Sequence, residues 1–166
     1  MKKVVLSVLV DNTSGVLNRV AGLFSRRGYN IDSLTVSETE KPEYSRMTIV
    51  VHGDDETLAQ IKKQMLKLED VKEITVLSDG ESVCRELVLV KVGVTAEKRP
   101  QIMAVADSFR AKIVDVSKDS MTLELTGNEN KLEAFIELLT GFDIVELVRT
   151  GLTGLTRGSL SVRDHK

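Results

Sequence analysis

The chain has 166 residues, of which 42% are hydrophobic and 29% are charged, and its formal net charge is -2. This composition supports a packed core with a solvated surface and excludes a disordered chain, while the length allows one domain or two small ones. Basic residues are interspersed with acidic ones, which disfavours a nucleic-acid-binding face.

The chain begins with a strand pattern followed by a helix pattern. We interpret the run MKKVVLSVLV as a strand over 4–10 and not as a signal peptide, because Ser7 interrupts the apolar residues and Asp11 follows them. Asn12 or Ser14 is available as the N-cap of the next helix, and Gly28 is expected to end it. The apolar stripe of this helix is Val16, Leu17, Val20, Leu23 and Phe24.

The rest of the first half predicts a hairpin, a helix and a strand. Residues 31–38 and 45–52 show strand patterns on either side of the turn TEKPEY, and 71–77 forms a further strand. Asp54 and Asp55 are placed to cap the intervening helix. Its apolar stripe is Leu58, Ile61, Met65 and Leu68.

The same order begins again after SDGES at 78–82, which has the composition of a linker. Two copies of the order strand, helix, strand, strand, helix, strand predict two α+β domains, each an antiparallel sheet with both helices on one face. Because so small a domain leaves its other face and its sheet edges bare, we expect a dimer. The strands of the second copy are 85–94, 112–116, 120–126 and 144–150, and its helical stripes are Ile102, Val105, Ala106 and Phe109, then Leu132, Phe135, Ile136 and Leu139.

The sequence offers little catalytic equipment. It has no phosphate-binding loop of the Walker type, and GLTGLTRG at 151–158 lacks dinucleotide-binding spacing, which favours a mobile or partner-contacting segment. The single cysteine, Cys84, precludes an intramolecular disulfide and fits a reducing cytoplasm, and His52 and His165 are too few for a conventional metal site. No aromatic residue lies in a predicted strand, which argues against RNA recognition, and no apolar run is long enough to span a membrane.

The turn DNTSG at 11–15 is the strongest candidate for a binding site. It leads into a helix N-terminus, whose unpaired N–H groups favour a carboxylate, and Gly15 lets a ligand approach the backbone closely. Asn12 and Asn30, at the two ends of the helix, carry amides that both donate and accept, so together they would suit a carboxylate and an ammonium group. The alternative is that Asn12 is only an N-cap and Asn30 only a turn residue. The apolar lining expected for an aliphatic amino acid is Val16, Leu17, Ile31 and Val36.

The stretch LVDNTSGVLNRVAGLFSRRGYNIDSLTV resembles the N-terminal ACT domain of acetolactate synthase small subunits, also called acetohydroxyacid synthase regulatory subunits. The likeness continues through SRMTIVV, RELVLVKV and IVELVRTGLTGLTRG and so covers nearly the whole chain. It implies two ferredoxin-like βαββαβ domains: an ACT domain over 1–78 for effector binding and dimerisation, a linker over 79–84, and the family's C-terminal domain over 85–166.

The resemblance also implies a function. A member of this family is a non-catalytic, cytoplasmic homodimer that binds the large catalytic subunit, activates it, and confers feedback inhibition by a branched-chain amino acid, usually valine. Thiamine diphosphate, magnesium and FAD belong to the catalytic partner, which joins two pyruvates or pyruvate and 2-oxobutanoate. Asn12, Gly15 and Asn30 match the family's effector positions at the interface of two ACT domains. Whether one protomer or two supply the asparagines stays open at this point.

Two other classes of function compete with this one. A freestanding amino-acid sensor acting on transcription or on another enzyme would share the same domain, so the sequence leaves it open. A small ferredoxin-like enzyme such as an acylphosphatase would need an arginine in the loop after the first strand, and DNTSG has none. Valine, leucine and isoleucine differ by one methylene or its placement, so the sequence does not choose among them.

Overall fold

The computed structural model describes residues 2–158, which form two compact units. The first unit contains the chain up to Cys84 together with the segment that starts at Leu152, and the second is Arg85–Gly151. Each unit has the predicted βαββαβ order, so the α+β fold class is confirmed. The elements of the first unit are β1 (Lys2–Asp11), α1 (Val16–Arg26), β2 (Ile31–Glu38), β3 (Tyr44–Gly53), α2 (Asp55–Leu66) and β4 (Val71–Val76).

The sheet of the first unit is antiparallel, with the strand order β2-β3-β1-β4. Alternate residues of β1 and β3, such as Val8 and Ile49, pack against α1 and α2 in one core. On the opposite face of the sheet, Ser7 and Thr48 are also buried, so β1 is a central strand covered on both sides. The main core side chains of the two helices are Val20, Leu23, Phe24, Ile61 and Met65.

The first helix is capped differently from the prediction. Its N-cap is Gly15, with φ 87° and no capping side chain, so the assignment of Asn12 or Ser14 as the N-cap was wrong. At the other end Gly28, with φ 69°, donates to Ser25 O and the following residue donates to Phe24 O. This pair of hydrogen bonds is a Schellman motif, which explains why the helix ends where the glycine predicted.

The second helix begins as predicted. The Asp54 carboxylate accepts a hydrogen bond from Thr57 N at 2.7 Å, and this bond holds the pKa of Asp54 below its usual range. The strand before this helix, β3, starts one residue earlier than expected, at Tyr44, so one half-buried aromatic side chain does lie at the end of a strand.

The elements of the second unit are β5 (Ser82–Gly93), α3 (Arg99–Phe109), β6 (Lys112–Val116), β7 (Ser120–Gly127), α4 (Glu129–Leu139) and β8 (Asp143–Arg149), and a last strand, β9 (Thr153–Thr156), follows them in the chain. The second unit has an antiparallel sheet with the order β6-β7-β5-β8. Val90 and Leu123 of this sheet pack against α3 and α4, and the rings of Phe109 and Phe135 meet edge to face with centroids 5.3 Å apart. Among residues 2–158, none of the helices is both long and apolar enough to cross a membrane.

The segment from Leu152 belongs to the first unit, although the predicted domain 85–166 placed it in the second. Strand β9 pairs with β5, Arg157 N donates to Glu81 O at 2.8 Å, and Thr35 Oγ1 donates to Leu152 O at 3.4 Å. The predicted linker 79–84 is also shorter than expected, because β5 already begins at Ser82. The strand pairing and the Arg157–Glu81 hydrogen bond are made by backbone groups, which leave no hydrophobic pattern in the sequence.

Gly154 provides a test of this arrangement. A Cβ atom at this position would lie 2.6 Å from Cys84 Sγ and 2.9 Å from both Leu77 Cδ1 and Val83 O. We expect Gly154→Ala to lower the free energy of unfolding by about 1–3 kcal/mol through overpacking. Gly141→Ala is the matched control, because a Cβ there has 3.6 Å to Leu138 O. Denaturant unfolding of both variants checks the prediction, and equal stabilities would contradict it.

Candidate functional site

The turn between β1 and α1 presents a helix N-terminus that no described side chain caps. Gly15 takes the left-handed conformation, and its carbonyl accepts the first helical hydrogen bond, from Arg19 N at 3.0 Å. The first turn of α1 contains no acidic residue. Its N–H groups and the positive end of the helix dipole therefore favour a bound anion in front of Val16 and Leu17.

The arginine beside this turn is already paired. Arg19 Nε lies 2.5 Å from Asp70 Oδ2 and Nη2 lies 3.1 Å from Oδ1, a bidentate contact that lowers the pKa of the Asp70 carboxyl. Asp11 N also donates to Asp70 O at 2.9 Å, which ties the end of β1 to this pair. Since the guanidinium charge is compensated by Asp70, attraction of an anion to the turn comes chiefly from the backbone of α1.

Asn12 is bound to the loop between β2 and β3. Its Nδ2 donates to Pro42 O at 2.9 Å and to Glu38 Oε2 at 3.4 Å, and its Oδ1 accepts from Ser45 Oγ at 2.9 Å. An amide has two N–H donors and two oxygen lone pairs, so one lone pair of Asn12 Oδ1 is left over. From this position Asn12 can accept a hydrogen bond from a ligand but has no N–H left to donate.

Asn30 is an exposed residue with a different set of contacts. Its Nδ2 donates to Asp32 Oδ1 at 3.1 Å, and Asn30 Oδ1 accepts no hydrogen bond from the described residues. Asp32 in turn contacts Nδ1 of His52 on β3 through its other oxygen. The NH₂ group of Asn30 is therefore held by Asp32, while its oxygen faces no donor among the described residues.

The two asparagines lie at opposite ends of the sheet within one chain. Asp11, next to Asn12, pairs with Tyr44 at the start of β3, whereas Ile31, next to Asn30, pairs with Val51. Seven residues along β3 separate these two positions, roughly 23 Å at the rise of a β-strand. A single amino acid cannot bridge that distance, so one protomer alone does not bring Asn12 and Asn30 to the same ligand.

The apolar residues predicted for the site divide in the same way. Leu17 is 42% exposed and Val36 is 44% exposed, and both lie toward the Asn12 end of the sheet. Ile31 is half-buried at the Asn30 end. Val16 is only 3% exposed and belongs to the core, so its side chain is not an apolar lining residue and only its backbone faces the turn.

Sequence reasoning missed Glu38, Asp32 and His52. Glu38 contacts Asn12 across 26 residues of sequence and His52 contacts Asp32 across 20 residues, and the strand register brings these pairs together. Asp32 contacts Asn30 only two residues away, a local contact that turn chemistry alone did not single out. Within residues 2–158 there is no group of three or more His, Cys, Asp or Glu side chains that could hold a metal ion. His165 lies outside the described residues.

The fold and the glycine turn define a class of protein. A βαββαβ unit with an uncapped helix N-terminus after β1 is typical of ligand-binding regulatory domains, and the second unit repeats the same βαββαβ order. Residues 6–73 match the family described as the AHAS small subunit-like ACT domain, and residues 85–158 match the small subunit of acetolactate synthase.

Similar proteins cover almost the whole chain. The acetolactate synthase small subunit of Mycobacterium bovis is 50% identical over 161 residues, which are 97% of this chain and 96% of that protein. The Haemophilus influenzae small subunit is 46% identical, over 95% of this chain and 98% of its own length. The crystal structure of the Thermotoga maritima small subunit superimposes with a TM-score of 0.88 at 41% identity, covering 96% of this chain and 100% of that one. The chain therefore belongs to the family of acetolactate synthase small subunits, which have a regulatory role in branched-chain amino acid biosynthesis.

Proposed function

We propose that this chain is a feedback-sensing subunit of acetolactate synthase. It binds the large catalytic subunit in the cytoplasm, raises its activity and makes it sensitive to a branched-chain amino acid, with valine as the expected effector. The observation that carries this proposal is the uncapped N-terminus of α1 behind Gly15, next to exposed apolar side chains on α1 and β2. A carboxylate and an aliphatic side chain are the two groups that such a surface suits.

The site is completed by a second copy of the chain. Strand β2 is an edge of its sheet and is available to pair with another strand. If it pairs antiparallel with the same strand of a second copy across a two-fold axis, the start of one β2 faces the end of the other. Asn30 of the partner subunit then lies beside Glu38 and Asn12 of the first protomer, since those two residues are already in contact.

In this arrangement each ligand group has a suitable counterpart. The carboxylate binds the first-turn N–H groups of α1, and the ammonium group donates to Asn30 Oδ1 of the partner subunit and to the remaining lone pair of Asn12 Oδ1. The aliphatic side chain packs on Leu17 and Val36, while Ile31 adds apolar surface from the partner's side. The dimer is therefore required for sensing as well as for stability.

Regulation follows by linkage. Valine binds one arrangement of the dimer better than another, and that arrangement supports the activity of the catalytic subunit less well. A coupling free energy of about 1–3 kcal/mol between valine binding and the interaction with the catalytic subunit is enough for useful inhibition. The condensation of two pyruvates, or of pyruvate with 2-oxobutanoate, takes place on the large subunit. Thiamine diphosphate, magnesium and FAD are held there.

The experiment that tests this function is thermal unfolding of the chain with each common amino acid in turn. At 100 times its dissociation constant a ligand stabilises by about 2.7 kcal/mol, so we expect a clear rise in Tm with valine, leucine or isoleucine and none with glycine or lysine. Sedimentation should show a dimer, and the chain should co-purify with the large subunit. Absence of any shift, both alone and with the large subunit present, would contradict effector binding. Failure to bind the large subunit would favour a freestanding sensor.

A further inference from the structure

We propose that Asp32 and His52 are positioning residues that orient the amide of Asn30 and so make the site selective for a ligand with an α-ammonium group. The inference rests on the proposed function and deepens it. It concerns a property of the site that the identity of Asn30 alone does not determine, because an asparagine amide can present either its oxygen or its NH₂ group to a ligand.

The backbone of β2 places Asp32 next to Asn30. Ile31 pairs with Val51 and Ser33 pairs with Val50, so Asp32 is the additional residue of a β-bulge. A bulge changes the direction in which side chains leave a strand. Here the Asp32 carboxylate is shared between two neighbours: Oδ1 accepts from Asn30 Nδ2 at 3.1 Å, and Oδ2 contacts His52 Nδ1.

The chemistry of this chain of contacts determines the orientation of the amide. An ionised carboxylate only accepts hydrogen bonds, so it must face the NH₂ group of Asn30 and cannot face its oxygen. Asn30 Oδ1 is then directed away from Asp32 as an acceptor, which suits an ammonium group and repels a carboxylate. His52, with Nδ1 protonated, donates to Asp32 and keeps the carboxylate from rotating away.

The pair is placed to act on ligand binding and not on folding. The side chain of His52 is 44% exposed and that of Asp32 is 29% exposed, so their mutual attraction is weakened by solvent. Exposed pairs of this kind contribute little to stability. If Asp32 and His52 position Asn30, removing them should change ligand affinity. If they only stabilised the fold, removing them should change the free energy of unfolding slightly and leave ligand affinity unchanged.

The test compares valine with isovalerate, which is valine without its amino group. In the full chain, we expect Asp32→Ala to weaken valine binding about 10-fold, the effect of losing one well-oriented hydrogen bond, and to leave isovalerate binding within about 2-fold. His52→Ala should change valine affinity in the same direction by a smaller factor. Asp32→Asn should give a valine affinity between those of the wild type and Asp32→Ala, because its Oδ1 can still accept from Asn30, but its own NH₂ group can donate as well, so the orientation of the Asn30 amide is no longer fixed.

Calorimetric titration of valine, and displacement titration of isovalerate, measure these constants. Asp55→Ala is the matched control, since it breaks the exposed Lys2–Asp55 pair of 2.8 Å outside the site and should leave both affinities unchanged. Equal weakening of valine and isovalerate by Asp32→Ala, or no weakening of either, would overturn the positioning role while the effector site stands. A wild-type chain that binds no branched-chain amino acid would instead overturn the proposed function.

Discussion

Gly15→Asp is expected to abolish binding of the branched-chain effector, with a loss of affinity of more than about 100-fold. The new carboxylate would stand in front of the first-turn N–H groups of α1, satisfy them itself, and repel the carboxylate of the ligand. The backbone adds to the effect, because φ at Gly15 is 87° and a Cβ there would lie 2.8 Å from Arg19 Nη1. Both the ligand's anchor and the geometry of the turn are affected by the same change.

Gly15→Ala separates these two causes. Alanine imposes the same left-handed strain and the same approach to Arg19 without adding a charge, so it should retain part of the affinity that aspartate loses. Calorimetric titration of valine into each variant measures the difference, and an inhibition curve of the enzyme reconstituted with the large subunit gives the functional counterpart. A Gly15→Asp chain as sensitive to valine as the wild type would show that the effector binds elsewhere.

Arg149→Met is expected to lower the free energy of unfolding by about 3 kcal/mol. Arg149 Nε lies 2.7 Å from Glu86 Oε1 and Nη2 lies 3.1 Å from Oε2, while Nη1 contacts Glu133 Oε1 at 2.8 Å. These carboxylates raise the pKa of Arg149, with Glu86 the stronger cause, so the guanidinium stays charged. Glu86 is only 5% exposed, and without Arg149 its charge would be left buried and unpaired.

The matched control for this prediction is Lys91→Met. Lys91 Nζ lies 3.7 Å from Glu146 Oε2 in an exposed pair, so its removal should change the free energy of unfolding by no more than about 0.5 kcal/mol. Combining Arg149→Met with Glu86→Gln should recover part of the lost stability, because the buried charge is then gone. Chemical denaturation measures all of these variants. Similar costs for Arg149→Met and Lys91→Met would contradict the argument.

Much of the fold could be predicted from local patterns. The stripes of α1 and α2 carry apolar residues every three or four positions, and the structure buries Val20, Phe24, Ile61 and Met65 in one core. Asp54 caps α2 because a carboxylate at that position meets the N–H of the third following residue, which depends on neighbours alone. The prediction of Asn12 as an N-cap of α1 was wrong because the Asn12 side chain binds partners far along the chain, which local patterns do not reveal.

The candidate site was predictable in part. The glycine turn and the two asparagines were identified as residue types whose chemistry suits an amino acid, and the family relationship is confirmed by the similarity over nearly the whole chain. Their separation was not predictable, because it depends on which residues of β3 pair with β1 and β2. The same register explains why His52 and Glu38 were not identified, since His52 meets Asp32 and Glu38 meets Asn12 only through the pairing of distant strands.

The order of helices and strands, their repetition and the glycine turn could be predicted because each arises within a few residues, and the family could be recognised from similarity along nearly the whole chain. Hydrophobic periodicity and turn chemistry depend on residues close together in the sequence, so they can be recognised without a structure. Three arrangements could be seen only in the folded chain. Asn12 and Asn30 lie at opposite ends of a sheet, Asp32 lies in a bulge beside His52, and β9 belongs to the first unit. Those arrangements depend on backbone hydrogen bonds between distant strands, which almost any residue can make and which therefore leave little trace in the order of the side chains.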